Sequence, residues 1–82
     1  MKEMDIVEVI VEKKNYADEG VHKGMQGWIC HNRCSGGYWL VNFPQYGEKD
    51  DIATTSILAC DMKKIPSMDA RVNERIRAQF GE

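Results

Sequence analysis

The apolar residues of this chain change their period once, at Pro66. Before it they recur at every second position in short runs separated by turn residues; after it Met68, Val72, Ile76 and Phe80 recur at every fourth. Period two is the mark of half-buried strands, and a four-residue recurrence marks one face of a helix. A chain of 82 residues is one domain with a single small core. The two periods therefore predict a mostly β unit over residues 1–66 and a helical extension over 67–82.

The opening run places Val7, Val9 and Val11 on one face, with Glu8 and Glu12 opposite. Ile6 and Ile10 interrupt the polar face, so a strand over 5–12 is expected to be partly covered on both sides. Lys13 to Gly24 reads as an irregular excursion closed by Val21 turning inward, with Asp18-Glu19-Gly20 and then Gly24 as turn signals. A second strand is predicted from about Met25 to Asn32. Gly27 inside it marks a bulge or a close approach of another backbone. Ser35-Gly36-Gly37 supplies hairpin chemistry, and Tyr38 to Phe43 is a third strand rich in aromatic and branched residues. Pro44 to Asp51 reads as a loop, Ile52 to Ile57 as a fourth strand, 58–62 as one helical turn and 63–65 as a closing strand. Ser67 is a candidate helix cap, Asp69 suits the positive helix start, Arg75 and Arg77 suit its end, and Gly81 terminates it.

Five short strands with glycine at the bends predict a small, strongly bent barrel. The inward set is Val7, Val9, Val11, Val21, Ile29, Trp39, Val41, Phe43 and Ile57. Residues 5–65 resemble the SH3-like barrels, in particular a family of short uncharacterised bacterial proteins. The resemblance is carried by Glu19-Gly20-Val21-His22-Lys23-Gly24-Met25-Gln26-Gly27-Trp28-Ile29, by Trp39-Leu40-Val41-Asn42-Phe43, and by Ile57-Leu58-Ala59-Cys60-Asp61-Met62. The Gly-x-x-Gly-x-Ile element is also similar to the KOW element of ribosomal and transcription proteins. The resemblance implies a five-stranded SH3-like barrel and, through the KOW element, contact with RNA; it implies no catalytic residue.

The net charge of -2 argues against a strong non-specific polyanion binder. Glu8 and Glu12 break the first apolar run and no small-residue cleavage site follows, so a signal peptide is not expected; nor does any run approach a membrane span. Cys30, Cys34 and Cys60 are odd in number, which points to reduced thiols and a cytoplasmic location.

Cys30, His31 and Cys34 are the residues that most invite a metal reading, with Cys60 and His22 as further ligands. Their spacing is not the paired Cys-x2-Cys of zinc hairpins, and strand alternation sends Cys30 and His31 to opposite faces, so no metal or cofactor is expected. Arg33 beside Cys34 is a single positive neighbour for a thiol, without a placed base. Asp18-Glu19 and Asp50-Asp51 are adjacent loop acids, which read as solvated surface rather than an acid/base pair. Gly24 and Gly27 precede a strand rather than a helix N-terminus, the arrangement phosphate cradles use.

Binding is the remaining class. Trp28, Tyr16, Tyr38 and Tyr46 are the aromatics left outside the inward set, and exposed Trp and Tyr are favoured anchors of protein interfaces. The expectation is a non-catalytic module that binds a protein partner through these residues, with the apolar stripe of the C-terminal helix packed on its own barrel; self-association through that helix is the alternative for the stripe. RNA binding through Lys13, Lys14, Lys23 and Arg33 is the alternative. The helical segment adds little to it, since residues 61–82 carry a local charge of only +1. A zinc- or thiol-dependent protein is the second alternative.

Overall fold

The computed structural model describes residues 2–44 and 52–81, with the side chains of 31–35 and 70 lying outside that description. The described chain forms a five-stranded antiparallel sheet, bent into a half-barrel, with a helix at its C-terminal end. The strands are β1 (Ile6–Val9), β2 (Gln26–Ser35), β3 (Tyr38–Phe43), β4 (Ala53–Leu58) and β5 (Met62–Lys64). Their spatial order is β4-β3-β2-β1-β5, so β4 and β5 are the two edges. A single 3-10 turn, Ala59–Asp61, carries the chain from β4 to β5.

Alternation fills the concave face. Val7, Val9, Ile29, Val41, Phe43, Ile57 and Met62 are buried there, joined by Val21 from the 13–24 excursion and by Met25 just before β2. Val11 and Trp39, expected to point inward, pack against this cluster but are only half-buried. For Val11 the reason is local: β1 ends at Val9, two residues before it.

Both glycine expectations have structural counterparts. Gly24 has φ +93°, and a Cβ there would lie 3.1 Å from Ile76 Cδ1. At Gly27 a Cβ would overlap the carbonyl oxygen of Asn42, so β2 and β3 approach too closely for any side chain. The hairpin turn places Gly36 at φ +61° and Gly37 at φ +84°.

β1 stops at Val9 rather than Glu12, β2 runs on through Ser35 rather than ending at Asn32, and two further short pieces differ from the sequence expectation. The 13–24 excursion contains a one-turn helix, α1 (Lys14–Ala17), which has no apolar period to announce it. The C-terminal helix α2 spans Ala70–Gln79, and its N-cap is Asp69 rather than Ser67. The Asp69 carboxylate accepts from the Arg71 N–H at 3.0 Å, and that bond holds its carboxyl below the usual range. Met68 therefore precedes the helix, leaving Val72, Ile76 and Phe80 as the stripe. Gly81, at φ +75°, ends the helix as expected.

What docks α2 is a polar residue that the stripe does not announce. Asn73 is fully buried. Its Oδ1 accepts the Gln26 N–H at 2.7 Å, while its Nδ2 donates to the Gln26 carbonyl at 2.8 Å and the Pro44 carbonyl at 3.0 Å. The reason lies in the ladder. Trp28 pairs with Asn42, and the same register carried two residues on sets Gln26 opposite Pro44. Proline has no N–H to give, so the Asn73 amide bridges the two strands where the direct rung fails. The Gln26 side chain returns the contact, its Oε1 accepting the Asp69 N–H at 2.8 Å. Ile76 packs against the core beside these bonds.

Candidate interaction surface

Strand alternation that fills the concave face also sets what lies on the opposite one. Ile6, Trp28, Asn42 and Thr54 are direct partners across β1, β2, β3 and β4. The Ile65 N–H donates to the Ile6 carbonyl at 2.9 Å and continues the row past β1. Ile65, Ile6 and Trp28 are all half-buried, as is Leu40 in the neighbouring row. Tyr38, at the hairpin end of β3, is exposed. Asn42 is buried and accepts the Thr54 hydroxyl at 2.7 Å, so the polar end of the row is internally satisfied. The outer face thus presents a run of partly exposed apolar side chains across three adjacent strands, with Trp28 at its centre.

Of the four aromatics expected at the surface, Trp28 and Tyr38 lie on this face. Tyr46 lies outside the described residues. Tyr16 is a correction: it is only 1% exposed and belongs to the core. α1 turns its ring inward, and its hydroxyl finds partners that offset the cost of burial. The hydroxyl donates to Asp61 Oδ2 at 2.7 Å and accepts the Leu58 N–H at 3.1 Å.

Asp61 is the centre of this second cluster. Its Oδ2 also accepts from Lys13 Nζ at 2.6 Å, and Cys60 Sγ lies 3.7 Å from its Oδ1. The Lys13 bond, followed by the Tyr16 bond, holds the Asp61 carboxyl below the ordinary carboxylate range. Burial, and then the bond to Asp61, pushes the Tyr16 phenol up, and the same carboxylate raises Lys13. Each group is driven away from neutral pH, so none of the three is poised for proton transfer there. The cluster ties α1 to the turn before β5.

A third cluster fixes the end of α2. His22 is buried, its Nδ1 2.8 Å from Glu12 Oε2, and its ring stacks on Phe80 with centroids 3.7 Å apart. Burial pushes the Glu12 carboxyl up, but the bonds from His22 and the Lys23 N–H outweigh it and leave the group lowered. His22, a candidate metal ligand by residue type, is thus engaged with a carboxylate and a ring.

Two of the four basic candidates pair with acids. Lys13 pairs with Asp61 and Lys14 with Asp18. Lys63, Lys64 and Arg71 lie against Glu8, Asp5 and Asp69. The Lys23 side chain is exposed, and that of Arg33 lies outside the described residues. Cys30 is half-buried and Cys60 exposed, each as a thiol, while the side chains of His31 and Cys34 are outside the description. Among the described residues no group of three or more His, Cys, Asp or Glu side chains could hold a metal ion, and no helix is long and apolar enough to cross a membrane.

Sequence reasoning leaves three contributors unassigned. Ile6 is legible only as an interruption of a polar face, Ile65 only as the last residue of a closing strand, and Asp61 only as part of a motif. No family model, curated protein or solved structure matches this chain.

Proposed function

We propose that the chain is a non-catalytic interaction module of SH3-like type whose outer sheet face receives a protein partner, with Trp28 as the anchor. The observation that carries this reading is the cross-strand row Ile65, Ile6 and Trp28, flanked by Leu40 and Tyr38, on the face turned away from the core. A central Trp amid aliphatic neighbours on a rigid sheet is the usual chemistry of a binding hot spot. The odd cysteine count supports a reducing, cytoplasmic setting for it. The KOW-like RNA reading has less support, because Lys13, one of its four side chains, is already held by buried Asp61 and the chain carries a net charge of -2.

A photo-crosslinking residue placed at Leu40, with a control at Ser67, tests the proposal in cells. The expected result is a protein adduct at position 40 that is absent at 67 and is lost when Trp28→Ala is added. RNA adducts at position 40, or protein adducts indifferent to Trp28, would overturn it.

A further inference from the structure

The two edges of the sheet are built differently. β5 is three residues long and carries Lys63 and Lys64, the kind of charged, abbreviated strand that resists pairing with another chain. β4 is six residues long, Ala53-Thr54-Thr55-Ser56-Ile57-Leu58, with neither a charge nor a proline. Nor does its neighbour β3, Tyr38 to Phe43, carry any charge. A neutral strip two strands wide therefore runs along this side of the molecule.

The hydrogen-bonding parity of β4 follows from its ladder. Ala59 N–H donates to the Gly37 carbonyl at 2.9 Å, which makes that pair a bonded one in the register that also joins Ile57 to Trp39 and Thr55 to Val41. In an antiparallel ladder bonded pairs alternate with unbonded ones, so the backbone N–H and C=O of Thr54, Ser56 and Leu58 point away from β3. The Leu58 N–H is taken by the Tyr16 hydroxyl at 3.1 Å, which independently fixes the same parity. At the other end the Ile52 N–H is taken by the Phe43 carbonyl. Thr54 and Ser56 are exposed, and their outward backbone groups meet no acceptor or donor among the described residues.

We propose that β4 is a self-association edge, on which a second copy of this chain pairs antiparallel about a two-fold axis at Thr55. In that register Thr54 of each copy faces Ser56 of the other, and every outward N–H and C=O of both residues is consumed. The open stretch is as long as the pairing needs, because Tyr16 and Phe43 close it on either side. No like charges meet across the axis, since neither β4 nor β3 carries any. The small side chains of Ala53, Thr54, Thr55 and Ser56 let the backbones approach without displacing a bulky residue. Such a dimer rests on few hydrogen bonds of modest net strength, so it is weak and concentration-dependent. This contact is separate from the Trp28 face and does not depend on it.

Residue-resolved amide exchange of the full chain at low and high concentration is the test. At about 1 mM the Thr54 and Ser56 amides exchange about fivefold or more slowly than at about 20 μM, as mass action requires of groups protected only in the dimer. Thr55 and Ile57, bonded to β3, exchange alike at both. Ser56→Pro deletes one outward N–H, and Ser56→Lys sets a charge on the exposed edge; each leaves the β3 ladder intact and abolishes the concentration dependence in a protein that still melts cooperatively. Thr54 and Ser56 amides that exchange at one rate at all concentrations would overturn the proposal. So would a dimer that leaves them unprotected, or one that persists in folded Ser56→Lys.

Discussion

α1 and α2 are both too short to persist alone, and each is held to the sheet by one buried polar side chain. The means differ. α1 is a single turn whose inward Tyr16 meets an ionised partner, Asp61, shared with Lys13. α2 has ten residues and an apolar stripe, yet its deepest residue is the neutral Asn73, which fills a gap that Pro44 opens in the ladder. The first attachment is electrostatic and faces a half-exposed lysine; the second is uncharged and enclosed. A buried polar group is stabilising when every donor and acceptor is matched, and both sites meet that condition.

The comparison breaks most completely if the shared sheet fails. Val41 is fully buried in β3, and Val41→Asp places an unpaired charge there. The expected outcome is loss of the cooperative thermal transition, because the several kcal/mol this costs is comparable with the roughly 5–15 kcal/mol that holds a small domain together. A melt close to that of the parent would show the strand register to be wrong.

Asn73→Leu comes next. It strips partners from the Gln26 N–H and from the Gln26 and Pro44 carbonyls, and unsatisfied buried groups cost about 1–3 kcal/mol each. A fall of about 2–4 kcal/mol in urea unfolding is expected, since water reaches part of the site once α2 loosens. A loss under about 0.5 kcal/mol, the level of an ordinary surface change, would make Asn73 a passenger.

Acid separates the two attachments. Asp61 has a lowered carboxyl pKa in the folded chain, so its contribution is complete above the ordinary carboxylate value of about 4 and is lost as pH falls through the folded value. The stability gap between the parent and Asp61→Asn is therefore flat from about pH 5 upward and narrows below about pH 4. The corresponding gap for Asn73→Leu shows no such narrowing, because its bonds carry no titratable group. Thermal melts of the three proteins from about pH 3 to 7 check both statements, and a gap for Asp61 that widens in acid would reverse the assignment.

The smallest effect is at the end of α2. Phe80 is 51% exposed and contributes one ring face to His22. Phe80→Ala is expected to cost about 0.5–1 kcal/mol in urea unfolding, the range of a single aromatic pair.

The same contrast explains what is legible in the sequence. The alternation of Val7, Val9, Ile29, Val41 and Phe43 and the stripe of Val72 and Ile76 are local periodicities, and they suffice to announce the sheet and α2. Gly24 and Gly27 are legible because glycine has a narrow set of uses. Tyr16, Asp61 and Asn73 are not, since each is fixed by a partner 45 or 29 residues away in sequence, at Asp61, Tyr16 and Pro44. A tyrosine in a polar loop reads as surface until its hydroxyl partner is known. Of the candidate interaction face, Trp28 follows by alternation from Ile29. Ile6 and Ile65 join it only once the ladder sets them side by side.

The claim on which the fold rests is that Asn73 supplies the rung Pro44 cannot, making α2 part of the sheet rather than an appendage. Amide exchange at Gln26 in the full chain measures it directly. Gln26 sits at the first position of β2, where a frayed amide would exchange quickly. The structure predicts protection close to that of Ile29 in the core, because the Gln26 N–H is bonded to buried Asn73. Exchange at Gln26 as fast as at exposed Gly36, with Ile29 still protected, would contradict it.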